Sequence, residues 1–79
     1  EPFAGIDPIA INDLQNLINR LKLKNIGILI TDHNVRATLA ITDRAYILNQ
    51  GAILANGSSD QLTTDSIVKK HYLGNSFEL

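Results

Sequence analysis

Cysteine, methionine and tryptophan are absent from this chain of 79 residues. Without cysteine, disulfides and thiolate metal sites are excluded, and the redox compartment cannot be read. No charge sign dominates: 7 Lys+Arg stand against 8 Asp+Glu, for a net charge of −1, with no basic block. That balance argues against a binder of nucleic-acid backbones working through bulk charge. Long apolar runs are missing too. The longest, glycine included, is five residues, far short of the roughly 20 that a helical membrane span requires, so the chain reads as soluble. The missing methionine also matters at the first position, Glu1. A start methionine is usually retained before a bulky acidic residue, and the chain therefore reads as a piece of something longer.

What is present centres on Asn25-Ile26-Gly27-Ile28-Leu29-Ile30-Thr31-Asp32-His33. A short apolar, β-branched run bounded by turn residues predicts a strand at about 26–31, buried on both faces as in a parallel sheet covered by helices. In such sheets chemistry gathers outside the carboxyl ends of the strands, where Thr31, Asp32 and His33 stand. A chain of this length buries only roughly 60–65% of the surface its unfolded form exposes, so such a sheet would be thinly supported.

The remaining elements follow from local signals. Pro2, Gly5 and Pro8 make the opening a loop, and Asp7-Pro8 is a helix start: Asp accepts a backbone N–H, and proline at the first helical position sacrifices none. Leu14, Leu17, Ile18 and Leu21 then recur as one apolar stripe of a helix at about 8–22. Asp32 or Asn34 caps a shorter helix at about 35–42, with Val35 and Leu39 on its buried side. Strands at 45–49 and 52–56 flank Gln50-Gly51, which predicts a hairpin. Ser58 with Gln61 is a capping-box signature for a helix at about 59–63. Asp65 or Ser66 starts a last helix to about Leu73, closed by Gly74, with Phe77 and Leu79 expected to dock.

Several side chains could carry chemistry, and each has a plainer explanation. Glu1, in a loop, could polarise a water as general base, although most loop glutamates are simply solvated. His33, at a strand end, could contact or sense a phosphate, or be fixed by hydrogen bonds near a helix start. Asp7 and Asp32 are explained as caps. His71, beside Lys69 and Lys70, has no evident role. Asp43-Arg44 reads as a surface pair worth little, and Tyr46 and Tyr72 as core or rim aromatics.

Taken together, Glu1-Pro2, Ala4-Gly5-Ile6-Asp7-Pro8, a helix, an apolar strand and Thr31-Asp32-His33 resemble the C-terminal half of an ATP-binding cassette (ABC) ATPase. The resemblance spans nearly the whole chain, and the hairpin with Gly51 and Gly57 fits that family's closing strands. It implies an α/β fold, the C-terminal part of a P-loop NTPase nucleotide-binding domain: a parallel strand, flanking helices, a small hairpin and C-terminal helices, with 1–79 forming one partial domain. In the family a strand ends in Asp-Glu-Pro, where Asp serves magnesium and Glu activates the attacking water. Glu1 matches that glutamate, so the magnesium Asp is expected just before it and no metal ligand within the chain. Ala4, Gly5, Ile6 and Asp7 match the loop that communicates with the partner subunit. His33 matches the switch histidine that senses the γ-phosphate, and Glu1 and His33 are the catalytic candidates.

The resemblance further implies ATP and magnesium as the parent's ligands and a second ATPase subunit as its homodimer partner. It also implies transmembrane permease subunits, a peripheral place on the cytoplasmic face of an inner membrane, no nucleic acid and no insertion into the bilayer. The phosphate-binding Gly-rich loop, the signature loop and the glutamine loop have no counterpart here, so the chain alone is expected neither to bind ATP usefully nor to hydrolyse it. Glu-Pro-Phe-Ala-Gly-Ile-Asp-Pro, Ile-Thr-Asp-His-Asn-Val-Arg, Asp-Arg-Ala-Tyr-Ile and Tyr72-Leu73-Gly74 are similar to the subgroup that powers lipopolysaccharide export. ATPases of branched-chain amino acid importers are the runner-up, although their strand end is more often Ile-Glu-His-Asp. A free-standing α/β interaction module, with Asp7 and His33 as mere caps, is the reading from another class.

Overall fold

The structure is a computed structural model that describes residues 1–73. Its elements, in order, are helix α1 (Pro8–Leu23), helix α2 (Val35–Leu39), strands β1 (Arg44–Asn49) and β2 (Ala52–Ser58), helix α3 (Ser59–Thr64) and the short helix α4 (Ser66–Val68). From α4 the backbone widens into a π-helical turn, Lys69–Leu73. The chain divides into two compact units, Glu1–Ile41 and a second from Thr42 onward.

In the first unit, α1 begins where its cap dictates. Asp7 is extended (φ −78°, ψ 164°) and accepts the Ala10 N–H at 2.9 Å, with Pro8 behind it. Asn25, at φ 60°, sits in the left-handed region just past the helix and lets the chain turn out. Of the expected stripe, Ile18 is buried and Leu14 and Leu21 half-buried, but Leu17 is exposed. Ile18 joins Phe3, Ala37 and Ile41 in a core to which Ile11, Leu14 and Ile30 add. Asn34, rather than Asp32, caps α2 by accepting the Ala37 N–H at 3.1 Å. That helix is shorter than its sequence suggests. Carbonyls within it and just past it are taken by α1 side chains: Gln15 Nε2 donates to Ala37 O at 3.0 Å, and Lys22 Nζ to Ile41 O at 2.9 Å.

The parallel strand expected at 26–31 does not form. The stretch forms no regular element: no strand pairs with it among the described residues, and the sheet described is β1 with β2 alone. Nor is it buried on both faces: Leu29 is 93% exposed and Ile26 and Ile28 are exposed, while Ile30 alone packs on the core. The composition is that of a buried strand, yet a strand exists only where a neighbouring backbone accepts and donates its ladder, and the described residues offer none. The fold described is therefore helices plus an antiparallel hairpin.

In the second unit, β1 and β2 pair antiparallel around Gln50-Gly51, whose φ values of 51° and 78° are those of a type I′ turn. Leu48 faces Ile53 and Ile47 faces Ala55, so Leu54 is the extra residue of a bulge. The capping box forms in full: Ser58 accepts the Gln61 N–H at 3.1 Å, and Gln61 Oε1 accepts the Ser58 N–H at 2.9 Å. Gly57 makes room for it. A Cβ there would stand 2.5 Å from Gln61 Oε1, and its φ is 150°. Ile47, Leu62 and Val68 are buried, and Asp65 caps α4 through the N–H groups of Ile67 and Val68. The helix expected to reach Leu73 does so, as a π-helical turn from Lys69. Gly74, Phe77 and Leu79 lie outside the described residues. No helix described is long and apolar enough to cross a membrane.

Candidate functional site

The opening loop places Glu1. The Ala4 N–H donates to Glu1 O at 3.2 Å, Gly5 takes a positive φ of 69°, and the Phe3 side chain is buried in the core. On the other side, the chain leaves its unpaired stretch at Asp32, whose carboxylate organises the turn. Oδ1 accepts the Asn34 N–H at 2.8 Å, and Oδ2 accepts the Phe3 N–H, also at 2.8 Å, from 29 residues away. These bonds set the Glu1 loop and the His33 loop side by side. His33 Nδ1 then lies 2.6 Å from Glu1 Oε1. The two catalytic candidates, 32 residues apart in sequence, are in direct contact.

The charges follow from this geometry. An ionised carboxylate only accepts, so the proton of the His33–Glu1 bond sits on Nδ1. The hydrogen bond and the negative charge of Glu1 hold the His33 pKa above the ordinary 6.5 and favour the imidazolium. In that form Nε2–H is a second donor, available to an anion. For Asp32, burial pushes the pKa up. The N–H groups of Asn34 and Phe3 outweigh it, and the net direction is below the usual 3.8.

Ala4, Gly5, Ile6 and Asp7 are exposed, beginning three residues after Glu1, and the Asp7 carboxylate is engaged as the α1 cap. Thr31 is exposed, and the His71 ring lies tilted by 58° to that of its neighbour Tyr72, with centroids 6.4 Å apart. Sequence reasoning passed over Asp32 as a possible cap. Its bond to Asn34 has a local signal, Asp two residues before the bonded N–H; its bond to Phe3 has none.

Glu1, Asp32 and His33 are the group among the described residues whose ligand atoms cluster, all within 4.8 Å of one another. They do not suit magnesium. Both Asp32 oxygens already accept backbone N–H groups, Glu1 Oε1 is held by His33, and magnesium demands near-octahedral oxygen ligands. No step of the chemistry is assigned to a metal held by these residues.

No family model matches the chain. Among curated proteins, all 79 residues align at 52% identity with a lipopolysaccharide export system ATP-binding protein of Acidithiobacillus ferridurans, covering 33% of it. The protein of the same description from Haemophilus influenzae is 49% identical over the whole chain, again covering 33% of its length. An uncharacterized ABC transporter ATP-binding protein of Rhizobium meliloti is likewise 49% identical over 79 residues, which cover 29% of it. The chain thus spans about a third of the length of the curated relatives it matches.

Proposed function

Since the chain corresponds along its whole length to part of an ABC transporter ATP-binding protein, we propose that it carries the water-activating and phosphate-sensing groups of a transport ATPase. The observation that carries this reading is the 2.6 Å contact between Glu1 and His33. Glu1 orients a water and accepts its proton as that oxygen attacks the γ-phosphorus of ATP. The bond from phosphorus to the ADP oxygen breaks, leaving ADP and phosphate. His33, whose pKa Glu1 raises, donates in its imidazolium form from Nε2–H to the γ-phosphate and stabilises charge in the transition state. Ala4, Gly5, Ile6 and Asp7 face a second ATPase subunit and report the state of the site across the dimer. The groups that cradle ATP and magnesium belong to the parent outside these residues, and the chain alone is inactive.

In its finer form, the parent sits peripherally on the cytoplasmic face of a bacterial inner membrane, bound to permease subunits, and drives lipopolysaccharide export. Two of the relatives named above carry that function in their description and support the assignment. An equally similar relative without an assigned cargo keeps an amino acid importer as the second reading. A transport assay with the reconstituted parent separates the two cargoes.

The enzymatic core of the proposal is tested by Glu1→Gln in the full-length protein. The amide keeps the shape but cannot take a proton. ATP affinity should hold while kcat falls by about 10²–10⁴-fold. Turnover at the original rate would remove Glu1 from catalysis.

A further inference from the structure

We propose that Asp32 is a positioning residue for the Glu1–His33 pair, its carboxylate joining the two loops that carry them. The inference rests on the catalytic reading of that pair given above. The pair does not hold itself in place: the His33 side chain is 78% exposed and that of Glu1 56% exposed, and exposed ion pairs constrain little. Asp32 differs in kind. Its side chain is 0% exposed, and each oxygen accepts one backbone N–H at 2.8 Å. Bonds to an ionised acceptor are shorter and stronger than neutral ones.

The two bonds have different consequences. The one to Asn34 is local and shapes the turn just after His33. The one to Phe3 spans 29 residues and fixes the backbone two positions from Glu1. Phe3 is thereby anchored twice, by its N–H on Asp32 and by its ring in the core with Ile18, Ala37 and Ile41. Nor does Asp32 have the cap of α2 as its reason to be there, because Asn34 supplies that cap. What remains for the long-range bond is to set the separation of Glu1 from His33. A displacement of about 1 Å between reacting groups is enough to slow chemistry by about 10²-fold.

The test uses the full-length protein. Asp32→Ala removes both acceptors and should lower kcat about 10²-fold, with KM for ATP held within about twofold. Asp32→Asn keeps one acceptor oxygen and should lose about tenfold in kcat. Combined with Glu1→Gln, Asp32→Ala should slow the enzyme by less than it does alone, since part of its effect runs through Glu1. A merely structural role would reduce the folded fraction and leave kcat per folded molecule unchanged. That result, or a double variant slower by the product of the single effects, overturns the proposal while the catalytic reading stands. If Asp32→Ala fails to fold, kcat of Asp32→Asn decides in the same way. Full turnover by Glu1→Gln would instead overturn the catalytic reading, and this inference with it.

Discussion

The two compact units of this chain are held together in different ways. From Thr42 onward, most bonds join neighbours in sequence: β1 pairs with β2 across a two-residue turn, Ser58 and Gln61 cap reciprocally, and Asp65 caps the helix beside it, while Ser59 reaches back to Thr42 and Asp43. In Glu1–Ile41 the organising bonds cross long stretches of chain. Asp32 reaches Phe3, Gln15 reaches Ala37, and Lys22 reaches Ile41. The candidate chemistry lies wholly in this first unit, which also contains the stretch without a ladder. The catalytic candidates come from distant positions, 32 residues apart, and it is the long-range wiring that brings them together.

The largest test of that contrast is a pair of truncations in the full-length protein. Phe3→Ala opens a cavity in the core that backs the Glu1 loop and should cost about 3–5 kcal/mol. Because the Glu1 loop is anchored by that ring, kcat per folded molecule should fall with stability. Leu62→Ala, at a side chain only 2% exposed, should cost a similar about 2–5 kcal/mol while sparing kcat per folded molecule. Urea unfolding paired with steady-state kinetics measures both. Equal losses of kcat would mean that the chemistry is not confined to the first unit.

A smaller effect sharpens the electrostatic side. Glu1 raises the His33 pKa, so an NMR titration should place the His33 midpoint above 6.5, and Glu1→Gln should move it back down. Since the folded value is the higher one, the stabilisation from this contact is complete below the unfolded value of 6.5. It is lost as pH rises through the raised folded value. An unshifted His33 would mean that Glu1 and His33 do not share a proton in solution.

The same contrast explains what the sequence disclosed. Asp7-Pro8, Ser58 with Gln61, and Gln50-Gly51 are local signals, and the helix start, capping box and turn stand where those residues predict. Ile26 to Ile30 misled, because composition reports what a segment is suited to and not whether a partner strand is present. Leu17 shows a milder version: it has the right spacing for the buried stripe, but the core does not extend to it. Glu1 and His33 were singled out as candidates from ordered motifs. Their contact, and the Asp32–Phe3 bond beside them, depend on the path of the chain between them, which no local pattern encodes.

The smallest effect probes how self-sufficient the hairpin is. Gln50 holds a φ of 51° without being glycine or asparagine, a conformation that is costly for a side chain of its type. Asparagine tolerates this region better and is favoured at the first position of a type I′ turn, so Gln50→Asn should stabilise the turn by about 0.5 kcal/mol. If β1 and β2 open as a local unit, amide exchange at Ile47 and Ala55, which face each other in the ladder, should slow by the corresponding factor of about two. Exchange there with no change at all would mean that these amides exchange through an opening that leaves the turn closed, and that the turn does not govern the stability of the strands it joins.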